Sequence, residues 1–204
     1  MSARRRSSAP TTADLHRRWL ELVETDGAFL AVPALKRVWP QGMPRVDDNA
    51  RAALAEAKPA FEGAWERWDR RPNDPAVFDA YRTARDAWVD TVLRDVLGWG
   101  ERLAQPPAGV VAHSPRRDIT VTPTSALVLG GIVGALVLVV DPMPSVHDLV
   151  DDGWAASPID RMEALLRAAD APIGVVTDGR WWAIVCARKE AMVASGVVDA
   201  QTWI

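Results

Sequence analysis

The hydrophobic pattern changes its period once along the chain. From Asp14 to Leu97 apolar residues recur at helical spacing. Leu15, Trp19, Leu22 and Val23 share one face of a first helix, with Arg17, Arg18 and Glu21 opposite and Thr25-Asp26-Gly27 as its stop. Proline at a first turn marks a short second helix over Pro33 to Trp39. Asp47 to Arg70 reads as a long helix with Leu54, Ala57, Phe61, Ala64, Trp65 and Trp68 on one stripe, and Pro59 is expected to kink or divide it. Asp74 and Pro75 are a cap and first position for the next helix. Its stripe is Val77, Tyr81, Ala84, Trp88, Val92 and Val96, and Gly98 is its stop. The aromatic stripe Phe61, Trp65, Trp68 and Trp88 reads as a helix–helix core.

Beyond Glu101 the pattern becomes strand-like. Residues 101–117 are rich in Pro, Gly and Ala and are expected to be a linker. Ile119-Thr120-Val121-Thr122 alternates as a short strand. Ala126 to Val140 is the most apolar run. At about fifteen residues it falls short of the roughly twenty that a bilayer core requires, and Gly130-Gly131 divides it. It therefore predicts two antiparallel strands, the second buried on both faces. Asp141-Pro142-Met143-Pro144 ends that strand, and Ser145 to Ala156 is a loop with Asp148, Asp151 and Asp152. Ser157-Pro158-Ile159-Asp160 opens a helix to about Ala169. Two β-branched and aromatic runs, Ile173 to Thr177 and Trp181 to Val185, flank an Asp178-Gly179 pair and predict a hairpin. Val193 to Ile204 reads as a further strand or short helix.

The expected organisation is a disordered basic leader (1–13), a helical region (14–100), the linker (101–117) and a mixed α/β region (118–204). The apolar end at Ile204 leads us to expect that the natural sequence continues. The fold class is α+β: an N-terminal helical region, then a small mixed β-sheet with a crossing helix.

Composition narrows the chemistry. The net charge of -3 gives no bulk attraction to nucleic acid, so DNA contact needs a local basic patch. The single cysteine, Cys186, excludes an internal disulfide framework and fits a reducing cytoplasm. No complete catalytic constellation stands in the chain. His16, His113 and His147 are scattered, and no zinc spacing is present. Gly130-Gly131-Ile132-Val133-Gly134 lacks the Gly-x-Gly-x-x-Gly spacing that cradles a pyrophosphate. Asp141-Pro142-Met143-Pro144 lacks the second proline and the aromatic ring of the acid-Pro-Pro-aromatic motif of amino-methylating enzymes.

Two resemblances go beyond these patterns. The order from Asp118 to Val185 (hairpin, buried strand, crossing helix, hairpin) resembles the half-core of the restriction-endonuclease-like fold. Active members add acid-x-Lys on the next strand to hold a metal and orient water. Here Asp141 stands alone, which implies a degenerate core with Asp141 as the sole catalytic candidate. The stretch Ala171-Pro172-Ile173-Gly174-Val175-Val176-Thr177-Asp178-Gly179-Arg180-Trp181-Trp182 resembles a strand–turn–strand signature in the N-terminal regions of large adenine-specific DNA methyltransferases. These belong to type IIG restriction-modification and to phage-defence systems of the DISARM and BREX kind. Asp26 to Pro33, Val38 to Gly42 and Leu93 to Trp99 are similar to further blocks of the DISARM-type subgroup, so the likeness runs from about Asp14 to Ile204.

The resemblance implies the non-catalytic N-terminal module of such an enzyme. S-adenosylmethionine would be bound by a full-length relative and not by this chain, which alone is expected to be inactive. Its implied partners are double-stranded DNA, bound weakly and without sequence preference, or a methyltransferase catalytic domain or defence-system subunit. Lys36, Arg37, Arg116, Arg117 and Arg180 are the candidate phosphate contacts. The alternative is a protein–protein docking module with exposed tryptophans as anchors.

Overall fold

In the computed structural model the described residues are 11–203, so most of the expected basic leader and Ile204 lie outside them. The molecule is α+β. Helices α1 (Thr12–Leu20), α2 (Val32–Val38), α3 (Asp48–Arg70) and α4 (Pro75–Thr91) precede most of the strands, and α5 (Pro158–Ala169) lies among them. The strands are β1 (Glu24–Asp26), β2 (Leu103–Ala104), β3 (Ala112–His113), β4 (Thr120–Val121), β5 (Ser125–Leu129), β6 (Ile132–Val139), β7 (Ile173–Thr177), β8 (Trp181–Cys186) and β9 (Ala194–Asp199). Seven of them form one sheet in the order β1-β9-β8-β7-β6-β5-β2, and β3 with β4 makes a separate ribbon. Only β6 and β7 run parallel, because α5 carries the chain back across the sheet between them.

The apolar run 126–140 forms the predicted hairpin, β5 and β6, turning at Gly130 and Gly131, whose φ angles are +58° and +84°. Its second strand is buried on both faces from Ala135 to Leu138, where the sheet is the middle of three layers, while Ile132 at its start is exposed. Leu136, Leu138, Val176, Ala183 and Val185 face α5, where Ile159, Met162, Leu165 and Leu166 are buried. Val137, Val175 and Trp182 face α3 and α4, meeting Leu54, Phe61, Tyr81 and Trp88. Each of the Leu, Val, Ile, Phe and Met side chains among them contributes about 1.5–3 kcal/mol on leaving water. Gly174 lets α5 approach β7: a Cβ there would lie 2.3 Å from Met162 Sδ.

Local sequence accounts for the helix ends. Ser157 and Asp160 make the predicted capping box of α5, and Asp74 caps α4 through the amides of Ala76 and Val77. Several expectations are corrected. The first helix starts at Thr12 because Thr11 forms a capping box with Asp14. Its inward side chain is His16, while Leu15 and Leu22 are exposed. Thr25-Asp26 is no helix stop; it belongs to β1, which pairs with β9 at the sheet edge. α3 is not divided at Pro59, the helix being continuous from Asp48 to Arg70. Pro59 and Ala55, four residues before it, both lie on the exposed side, so the carbonyl deprived of its donor faces water. Ile119 to Thr122 enters the ribbon rather than the main sheet. Segment 101–117 carries β2, paired with β5, and β3, which lies against α5. No helix among the described residues is long and apolar enough to cross a membrane.

Candidate functional site

The turn between β7 and β8 joins the sheet to the helical layer. Asp178 is fully buried, and its Oδ1 accepts hydrogen bonds from the amides of Arg180 (2.9 Å) and Trp181 (2.7 Å). Its Oδ2 accepts one from the amide of Met143 (3.3 Å), tying the turn to the loop after β6. Burial pushes the Asp178 carboxyl above the usual range, and these backbone donors oppose that shift. From the helical layer, Tyr81 donates its hydroxyl to the Asp178 carbonyl. The indoles of Trp88 (2.8 Å) and Trp182 (2.9 Å) both donate to the Gly179 carbonyl. Burial, with Asp178 nearby, raises the Tyr81 hydroxyl far above its ordinary range, so it stays a donor. Phe61 stacks on Trp88 with centroids 5.6 Å apart. Gly179 has φ +97°, and a Cβ there would lie 2.7 Å from Phe61 and 2.9 Å from Arg85.

Arg180 leaves this turn sideways. It makes a bidentate pair with Asp199, Nη2 donating to Oδ2 (2.9 Å) and Nε to Oδ1 (3.3 Å), and its guanidinium lies 5.1 and 4.8 Å from the ring centroids of Trp65 and Trp181. Its side chain is 25% exposed and its charge is matched within the protein. Arg116 and Arg117 stand exposed at the turn of the β3–β4 ribbon, with Arg117 at φ +61°. Lys36 and Arg37 are exposed in the last turn of α2. None of these four makes an ion pair among the described residues. The five cations thus occupy three places: α2, the ribbon beside α5, and the sheet turn against α3 and α4.

Asp141, the other candidate, follows β6. Its Oδ1 lies 3.3 Å from Arg85 and 3.8 Å from Arg82. Arg85 is buried, and it also donates to the Val140 carbonyl (2.9 Å) and pairs with Asp86 (2.8 Å). Asp141 therefore faces guanidinium groups, and the adjoining β7, from Ile173 to Thr177, carries no carboxylate or lysine. Among the described residues no three His, Cys, Asp or Glu side chains converge to hold a metal ion. Gly130-Gly131 forms an open hairpin tip and begins no helix, so it does not fit the phosphate- or methionine-binding loop of a nucleotide cofactor. Cys186 is half-buried, with its thiol pushed up by burial.

Sequence reasoning missed Arg85 and Asp199. Arg85 sits within α4 and Asp199 ends β9, and only the tertiary fold shows what they face. It also missed Arg161, buried in the α5 layer, where Asp152 grips its guanidinium at 2.6 and 2.7 Å beside the Trp154 ring. That grip holds the Asp152 carboxyl below the usual range. No protein-family model matches the chain, and neither a curated protein nor a solved structure is significantly similar to it.

Proposed function

We propose that the chain is a non-catalytic DNA-contact module of a cytoplasmic adenine-modifying restriction or phage-defence enzyme, built on a degenerate restriction-endonuclease-like core. The fold assignment is supported by the order of hairpin, parallel crossover through α5, and second hairpin. The observation that carries DNA contact is the exposed ribbon turn, where Arg116 and Arg117 present two adjacent cations with no ion-pair partner among the described residues. Arg180 is left out, since a guanidinium already paired with Asp199 gains little from a phosphate.

Two phosphate contacts give a salt slope of about -1.8, so affinity falls about twelvefold between 50 and 200 mM salt. The test is fluorescence anisotropy with a short duplex across that range. Arg116→Gln with Arg117→Gln flattens the slope, and Arg180→Gln leaves it unchanged. No binding at 20 mM salt, or the same slope in the double variant, removes the DNA reading.

A docking module is the second reading, favoured by a different observation. On the sheet face bearing α4, Ile173 pairs with Cys186 and Val175 with Ile184. Ile173 and Ile184 remain 40% and 45% exposed. This apolar strip, rather than aromatic anchors, is the surface for a partner subunit, because none of the ten tryptophans is exposed.

A further inference from the structure

The end of α3, the start of α4 and the chain leaving β6 enclose an open groove of about 410 Å³. Trp68 and Phe78 form its aromatic lining, Pro72 and Pro142 wall it, and Asp74 and Asp141 supply its carboxylates. Trp68 is held by the Tyr81 ring, 5.6 Å away. The lining is therefore anchored on the buried cluster beneath it.

The carboxylates keep acceptor capacity toward the groove. Asp74 uses Oδ1 to cap α4, taking the amides of Ala76 and Val77. Asp141 presents Oδ1 to Arg85. Neither Oδ2 accepts a hydrogen bond from another described residue. Arg82 shows what chemistry suits the place: its guanidinium lies 5.6 Å over the Phe78 ring and 3.8 Å from Asp141, while half of its side chain stays in water. A guanidinium whose stem covers an aromatic ring and whose head meets a carboxylate is matched here by shape and charge.

From this geometry we infer that the groove binds an extended, proline-rich segment of a partner protein that carries an arginine. A polyproline II segment has no internal hydrogen bonds, and its ridged apolar surface suits an aromatic and proline lining. Its arginine takes the position over Phe78, displaces Arg82 and pairs with the free oxygens of Asp141 and Asp74. A nucleotide is the poorer guest, since both carboxylates would repel its phosphate. This inference does not depend on the DNA-contact reading.

The probe is the peptide acetyl-Pro-Pro-Arg-Pro-Pro-amide, titrated into the isotope-labelled chain and followed by amide and indole NMR cross-peaks. We expect saturable shifts of Trp68, Asn73 and Phe78. The glutamine version of the peptide binds at least about tenfold more weakly, since it loses the charge-assisted contacts to both carboxylates. Asp141→Asn lowers the arginine preference to what the Asp74 contact supplies and leaves the α5 cross-peaks, on the opposite face of the sheet from Arg85, in place. Arg82→Gln strengthens arginine-peptide binding several-fold, an effect that a destabilised variant would not give. Equal binding of the two peptides, shifts confined to other surfaces, or no saturation at millimolar peptide overturns the inference. So does deoxyadenosine monophosphate saturating the same cross-peaks where the peptide does not.

Discussion

Replacing Gly179 with alanine tests the joint between the sheet and the helical layer. Two terms act. At φ +97° an alanine is held outside its allowed backbone regions, which costs about 1–3 kcal/mol. Its Cβ also meets Phe61 Cε2 at 2.7 Å and Arg85 Cγ at 2.9 Å, and forcing a filled core apart costs about 1–3 kcal/mol more. The sum, about 4 kcal/mol, is a large part of the roughly 5–15 kcal/mol that a domain has. Gly131→Ala separates the terms: its φ is +84°, but a Cβ there meets nothing within 4 Å, so only the backbone term applies. Urea unfolding followed by tryptophan fluorescence reads both, since Trp88 and Trp182 each hydrogen-bond the Gly179 carbonyl. With a slope of roughly 2 kcal/mol per molar urea, the midpoint falls by about 2 M for Gly179→Ala and by about 1 M for Gly131→Ala. Equal shifts in the two variants would refute the packing argument.

Two further outcomes follow from the same geometry. Tyr81→Phe leaves the buried Asp178 carbonyl without its donor while keeping the ring, and lowers stability by about 1–3 kcal/mol; a urea midpoint unchanged within error contradicts it. Asp152→Asn tests the pair with Arg161 through pH. The Asp152 carboxyl is depressed in the folded state, so its contribution is present above the unfolded carboxylate range, about pH 4, and is lost as pH falls through the folded value. The stability gap between wild type and variant, measured by thermal unfolding, is therefore widest at neutral pH and closes as pH falls through the folded value. Asp178 acts with the opposite sign: its raised pKa makes its contribution greatest below the unfolded range and smaller as pH rises through the folded value. Both proteins share that term, so it cancels in the difference, and a gap that does not narrow in acid counts against the Asp152 pair.

Sequence alone determined the elements whose causes are local. The Asp-Gly turn, the Ser157 and Asp74 caps, and the Gly130-Gly131 division of the apolar run each act within a few residues, and each appears where the pattern put it. The burial of the middle of β6, Ala135 to Leu138, on both faces was legible as an apolar run, because a strand between two helical layers has no solvent side there. The tertiary structure decided what depends on partners distant in sequence. β1 and β2 are two or three residues long, too short to carry a period, and exist because β9 and β5 offer free edges. His16 rather than Leu15 turned inward because α1 is placed by its neighbours and not by its own stripe. The candidate site divides the same way. Arg116, Arg117, Lys36 and Arg37 could be listed from charge, but Arg180 and Asp141 could not be judged until Asp199 and Arg85 were found beside them. A charge acquires its chemistry from the counter-charge the fold sets within a few ångströms, and no local pattern records that distance.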